Sequence, residues 1–129
     1  YYRNADIVFI CLDLSVDNIS KTIKNYKYWK DQIDKNSDNK NQLIVIVGTK
    51  LDNRHEKMNE EHIKFSLGDD SHLYFETSSL KNIGINEMFK HCVDLKIESI
   101  EKMLQDRHIN TNNSHLDLIT QNKESKCCY

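Results

Sequence analysis

Proline is absent from this 129-residue chain, and glycine occurs only three times. This excludes collagen-like repeats, proline-rich linkers and most turn-dense all-β folds. Gly48, Gly68 and Gly84 stand too far apart to form a glycine-rich phosphate loop. No apolar run reaches the length of about 18 residues needed to span a membrane. Charge of one sign is also lacking. The net charge is −2 with no basic stripe, which argues against a nucleic-acid partner. The four cysteines, Cys11, Cys92, Cys127 and Cys128, show no Cys-x-x-Cys or Cys/His ligand spacing, so no metal site is expected and reduced thiols are favoured over disulfides. With 38% hydrophobic and 29% charged residues, the composition is that of one soluble globular domain. The opening Tyr1-Tyr2-Arg3-Asn4 carries neither an initiator Met nor a signal-peptide core, so the chain is expected to be the later part of something longer.

The order along the chain can be read from periodicity. Residues 6–14 (DIVFICLDL) form a nearly continuous apolar run, as expected of a strand buried on both faces. Ser15, Asp17 and Asn18 offer N-cap chemistry for a helix whose apolar residues are Ile19, Ile23, Tyr26 and Ile33, with Trp29 beside them. Residues 43–47 (LIVIV) form a second buried strand closed by Gly48. Asn59 can cap a short helix over residues 60–67, ended by Gly68-Asp69-Asp70. Residues 72–76 (HLYFE) form a third, short strand. Ile85, Met88, Phe89, Cys92, Val93, Ile97, Ile100 and Leu104 mark one stripe of a long helix. Cys11 and Cys92, each in an apolar setting, are expected in the core. From residue 105 the pattern dissolves, which predicts a globular part over residues 1–104 and a flexible tail over 105–129.

This alternation implies an α/β fold, a doubly wound sheet of three parallel strands alternating with three helices. Ligands of such sheets bind at the carboxyl ends of the strands, here at Asp13, after Val47 and after Phe75.

Two of those ends carry Gly48-Thr49-Lys50-Leu51-Asp52 and Glu76-Thr77-Ser78-Ser79-Leu80. With Tyr1-Tyr2-Arg3-Asn4-Ala5 before the first strand, Ile85-Asn86-Glu87-Met88-Phe89 opening the last helix and the terminal Cys127-Cys128, the sequence resembles a small GTPase of the Ras superfamily, closest to the Rab group. Thr-Lys-x-Asp resembles the guanine-reading Asn/Thr-Lys-x-Asp motif, and Glu-Thr-Ser-Ser-Leu resembles Glu-Thr-Ser-Ala-Lys. Thr49 in place of Asn and Leu80 in place of Lys resemble the Rho/Rac branch instead. The fold implied is a partial, Rossmann-like P-loop GTPase sheet.

The resemblance implies that Thr49, Lys50, Asp52, Ser78, Ser79 and Leu80 recognise the guanine of GTP or GDP. A carboxylate at Asp52 can accept two parallel hydrogen bonds, from the ring N–H and the exocyclic amine of guanine. Adenine offers neither. Each such bond to a charged group is worth roughly 1.5–3 kcal/mol, and a site built on the pair rejects bases lacking the donors by on the order of 10⁴-fold. Lys50 would lay its stem along base and sugar. Ser79 would offer its backbone N–H to the guanine oxygen, and Ser78 would help to hold the aspartate.

The phosphate loop, the switch threonine, the Asp-x-x-Gly and the water-orienting glutamine of the family are not in this sequence. In the family they lie upstream, with the ligands of Mg²⁺. No catalytic residue is therefore assigned, and this polypeptide alone is expected neither to hydrolyse GTP nor to bind it tightly. The loss of the preceding strands would leave residues 6–14 as a hydrophobic edge. Cys127-Cys128-Tyr129 resembles the Rab terminus that receives two geranylgeranyl groups and is not a CaaX box. Residues 105–126 are electrically neutral by the balance of Arg107, Lys123 and Lys126 against Asp106, Asp117 and Glu124, so both lipids would be needed for stable anchoring. The partners implied are a guanine nucleotide, the cytosolic face of an endomembrane, effectors, and escort and GDP-dissociation-inhibitor proteins of the Rab type. The alternative is a lipid-anchored α/β interaction module without nucleotide.

Overall fold

The computed structural model describes residues 2–39 and 41–124, with side-chain surroundings as far as residue 107. Strand β1 (Ile7–Asp13) leads into helix α1 (Ile19–Asn36), strand β2 (Leu43–Thr49), helix α2 (Glu60–Leu67), strand β3 (Tyr74–Glu76) and helix α3 (Ile85–Glu124). The three strands are parallel in the order β1-β2-β3. This is the α/β alternation that the periodicity predicts.

β2 is the central strand, and its sequence explains why. Its alternate residues serve two cores. Ile46 joins Ile10, Leu12, Leu14, Ile23, Tyr26, Ile33, Met58, Ile63, Leu67 and Tyr74 on the face covered by α1 and α2. Val45 and Val47 meet Met88 and Cys92 of α3 on the other face. Burying each such side chain contributes roughly 1.5–3 kcal/mol, so a strand that is apolar from Leu43 to Val47 fits only a site with helices on both sides.

The caps expected from sequence are present. The Asn18 side chain accepts from the Lys21 backbone N–H at 2.9 Å, and Asn59 accepts from those of Glu61 and His62 at 2.8 and 3.3 Å. Each satisfies donors that the first helical turn leaves without partners. The Tyr26 hydroxyl donates to Asp70 at 2.5 Å, tying α1 to the 3-10 turn Gly68–Leu73. Burial, and then this acidic partner, push the Tyr26 hydroxyl pKa up.

Three expectations are corrected. Cys92 is buried, but Cys11 is exposed. β1 is the outer strand, and on the α3 face the roof of Met88 and Cys92 lies over Val45 and Val47, leaving Cys11 uncovered. The third strand begins at Tyr74 rather than at His72, because the 3-10 turn runs through Leu73. Finally, helix α3 continues to Glu124, beyond the end expected near Leu104. Residues 85–124 contain no glycine or proline. The backbone therefore meets no helix breaker even where the apolar stripe has faded. The chain divides into two compact units, Tyr1–Val93 and Asp94–Tyr129. Cys127 and Cys128 lie outside the described residues.

Candidate functional site

The carboxyl ends of the three strands are stitched together by backbone and hydroxyl groups. Thr49 faces Asp13 across the β1–β2 register. Its hydroxyl donates to the Leu12 carbonyl at 3.1 Å, and its own carbonyl accepts from the Leu14 N–H at 3.1 Å. Gly48 allows close packing just before it: a Cβ there would stand 2.6 Å from the Tyr74 hydroxyl and 3.0 Å from Leu14. Lys50 then takes a left-handed backbone conformation, with φ 60° and ψ 40°, which turns the chain into the 3-10 turn Leu51–Asn53. Asp52 sits in that turn.

The loop after β3 is bound to this turn. The Thr77 N–H donates to the Gly48 carbonyl at 2.7 Å, and the Leu51 N–H donates to the Thr77 carbonyl at 3.0 Å. Ser78 is fully buried. Its hydroxyl donates to Asp52 Oδ1 and accepts from the Lys81 N–H at 3.1 Å. Ser78 and Ile83 exchange two backbone bonds of 3.0 Å each, which closes the loop on itself. Asp52 is thus fixed by the neighbouring loop, and its remaining lone pairs can accept bonds from a ligand. Ser79 and Leu80 are exposed beside it.

The structure therefore brings Thr49, Lys50, Asp52 and Ser78 into one hydrogen-bonded pair of loops, with Ser79 and Leu80 on the second. Two further charged groups join them: Asp13, which the sequence places at the ligand edge of the sheet without a partner, and Arg54. Asp13, at the end of β1, accepts from the Lys50 ammonium at 2.6 Å through Oδ2. Its Oδ1 accepts from the backbone N–H and the hydroxyl of Ser15, at 2.9 and 2.6 Å. The Lys50 hydrogen bond, and then those of Ser15, hold the Asp13 pKa down, from an ordinary 3.8 to about 2. A lowered carboxyl pKa stabilises the fold above the unfolded value, and that contribution disappears as pH falls from about 4 towards 2. Both partners are largely solvated, so the pair contributes at most about 1 kcal/mol. The sequence shows Asp13 as an acid closing an apolar run at a ligand-binding strand end, with nothing that marks Lys50 as its partner.

Arg54 is the other addition. Its guanidinium pairs with the Glu76 carboxylate, whose other oxygen accepts from the Tyr74 hydroxyl at 2.8 Å. This brace connects the turn holding Asp52 to the end of β3. Among the described residues no group of three or more His, Cys, Asp or Glu side chains is placed to hold a metal ion. No described helix is long and apolar enough to cross a membrane.

The chain is similar in sequence to several known proteins. "Ras-related protein Rab-7B" of Dictyostelium discoideum is 29% identical over 98 residues, covering 70% of this chain and 48% of that protein. "Ras-related protein RabO" of the same organism is 33% identical over 115 residues, covering 78% of this chain and 49% of the relative. "Ras-like GTP-binding protein RHO1" of Entamoeba histolytica is 29% identical over 136 aligned positions, covering 98% of this chain and 58% of the relative. The chain thus spans about half the length of the relatives it matches. The Ras family profile matches residues 1–98. That stretch takes in all three strands and both loops at their carboxyl ends, so the chain belongs to the Ras family and resembles its Rab members.

Proposed function

We propose that this chain is the base-reading and membrane-anchoring part of a Rab-like small GTPase, a GTP/GDP-controlled switch of vesicle-mediated transport. The observation that carries the reading is the buried Ser78 hydroxyl on Asp52. It holds a carboxylate at the carboxyl edge of a parallel sheet, where ligands of such folds bind. So held, Asp52 accepts the two adjacent N–H donors of guanine without first losing rotamer freedom. The backbone N–H groups of the exposed residues Ser79 and Leu80 would supply donors for the guanine oxygen.

We assign the phosphate and metal contacts to polypeptide beyond this chain, in keeping with its span of about half its relatives. Hydrolysis by this chain alone is not expected. Two geranylgeranyl groups on Cys127 and Cys128 would anchor the protein to the cytosolic face of an endomembrane, since one chain gives only marginal binding. Prenylation escorts, GDP-dissociation inhibitors and effectors are the partners that go with this role.

The test is a nucleoside titration followed by amide chemical shifts. Guanosine is expected to move the signals of residues 49–52 and 78–80, while adenosine leaves them unmoved. Asp52→Asn puts a donor where an acceptor is needed and is expected to weaken guanosine at least about tenfold. Equal responses to the two nucleosides would refute base reading.

A further inference from the structure

We propose that Asp13 is a positioning residue of the guanine site, acting through Lys50. The inference rests on the base-reading assignment above. Asp13 closes β1 and Lys50 directly follows β2, so the bond between them spans the carboxyl ends of two adjacent strands. Three observations bear on what this pair does.

First, the carboxylate is not free to turn. Ser15 engages Oδ1 twice, through its backbone N–H and its hydroxyl, which leaves Oδ2 aimed at the ammonium. Second, Lys50 is one of two non-glycine residues with positive φ among the described residues, the other being Asn82. Its backbone is therefore set by the turn that carries Asp52, and its ammonium by Asp13. A long flexible side chain is thus held at both ends. Third, both partners are too exposed for the bond to matter much to folding; their side chains are 58% and 37% accessible. What the bond does is remove the rotamer freedom of the lysine stem before a base lies along it. Ordering a rotamer-rich side chain in advance favours binding by about three- to tenfold.

The opposite effect is conceivable on the same contact: Asp13 would compete with a ligand for Lys50 and weaken binding. The experiment distinguishes the two. The 129-residue chain and its variants are titrated with guanosine and, as a control, adenosine. Asp13→Asn keeps an acceptor for Ser15 but removes the charge facing Lys50. It is expected to weaken guanosine about three- to tenfold, with Asp13→Glu restoring most of the loss. In a Lys50→Met background Asp13→Asn is expected to have no further effect, because the residue acts through that lysine. Unchanged or tighter guanosine binding by Asp13→Asn overturns the proposal, and so does an equal loss in the Lys50→Met background, which would mark a merely structural role. Failure of the base-reading assignment looks different: the unsubstituted chain would show no preference for guanosine and no response to Asp52→Asn, and both proposals would fall.

Discussion

Replacing Glu76 by glutamine is expected to lower the stability of the chain by about 3 kcal/mol. Glu76 ends β3 with its side chain 13% accessible, and the Arg54 side chain facing it is 25% accessible. Glutamine preserves shape but removes the charge. Arg54 then keeps a poorly solvated guanidinium without its counterion, and the Tyr74 hydroxyl loses a charged acceptor. Burial, and then the Glu76 hydrogen bond, push the Tyr74 hydroxyl pKa up, so the tyrosine remains a donor throughout the usable pH range. The penalty comes from the stranded cation rather than from the worth of the pair itself. Adding Arg54→Met should therefore recover at least about 1 kcal/mol of the loss, a coupling typical of residues in contact. Urea denaturation of the single and double variants measures both quantities. A loss below about 1 kcal/mol in Glu76→Gln would show that the brace is solvated and dispensable.

The second large effect is expected at Gly84, where the loop carrying Ser78 joins α3. Its φ is +73°, and a Cβ there would run into the Glu76 backbone carbonyl oxygen. Gly84→Ala is expected to cost about 3 kcal/mol: roughly 1–2 for a left-handed conformation in a residue with Cβ, and the remainder for a collision with backbone atoms that cannot rotate away. Gly68 provides the comparison. Its φ is +61°, but nothing lies within 4 Å of its added Cβ. Gly68→Ala meets no neighbour and should cost roughly 1–3 kcal/mol for the backbone alone, because its ψ of −130° places it outside the left-handed helical well. A loss below about 1 kcal/mol in Gly84→Ala would show that the contact with the Glu76 carbonyl relaxes. Because Gly84 sits at the end of the loop that holds Asp52, the same substitution should also weaken guanosine binding.

Much of this organisation is legible in the sequence, for local reasons. LIVIV can satisfy both cores only as a central strand, and Asn18 and Asn59 announce their helices through cap chemistry that needs no distant partner. The two loops at the strand ends are legible through their resemblance to known motifs. What escapes is contact between residues far apart in the chain. Asp13 and Lys50 are 37 positions apart, and nothing in either neighbourhood marks the other. Their meeting follows from the β1–β2 register, which depends on packing across the whole sheet. Arg54 reads as one charge in a polar loop until β3 brings Glu76 against it. Apolarity reports what a strand can bury, whereas the strand's position in the sheet decides what is covered, and the outer position of β1 leaves Cys11 exposed. The apolar stripe reports where α3 packs and not where it ends; no glycine or proline interrupts the backbone between residues 85 and 124.

That outer strand has a practical consequence. Among the described elements β1 pairs with β2 alone, and its seven residues, IVFICLD, contain no proline and no lysine. Those are the residues that most often blunt an exposed strand. Its unpaired amides and carbonyls form a template onto which another copy of the same segment can add. The colloidal behaviour of the isolated polypeptide is therefore governed by one strand edge more than by its net charge, and concentration-dependent self-association would begin there.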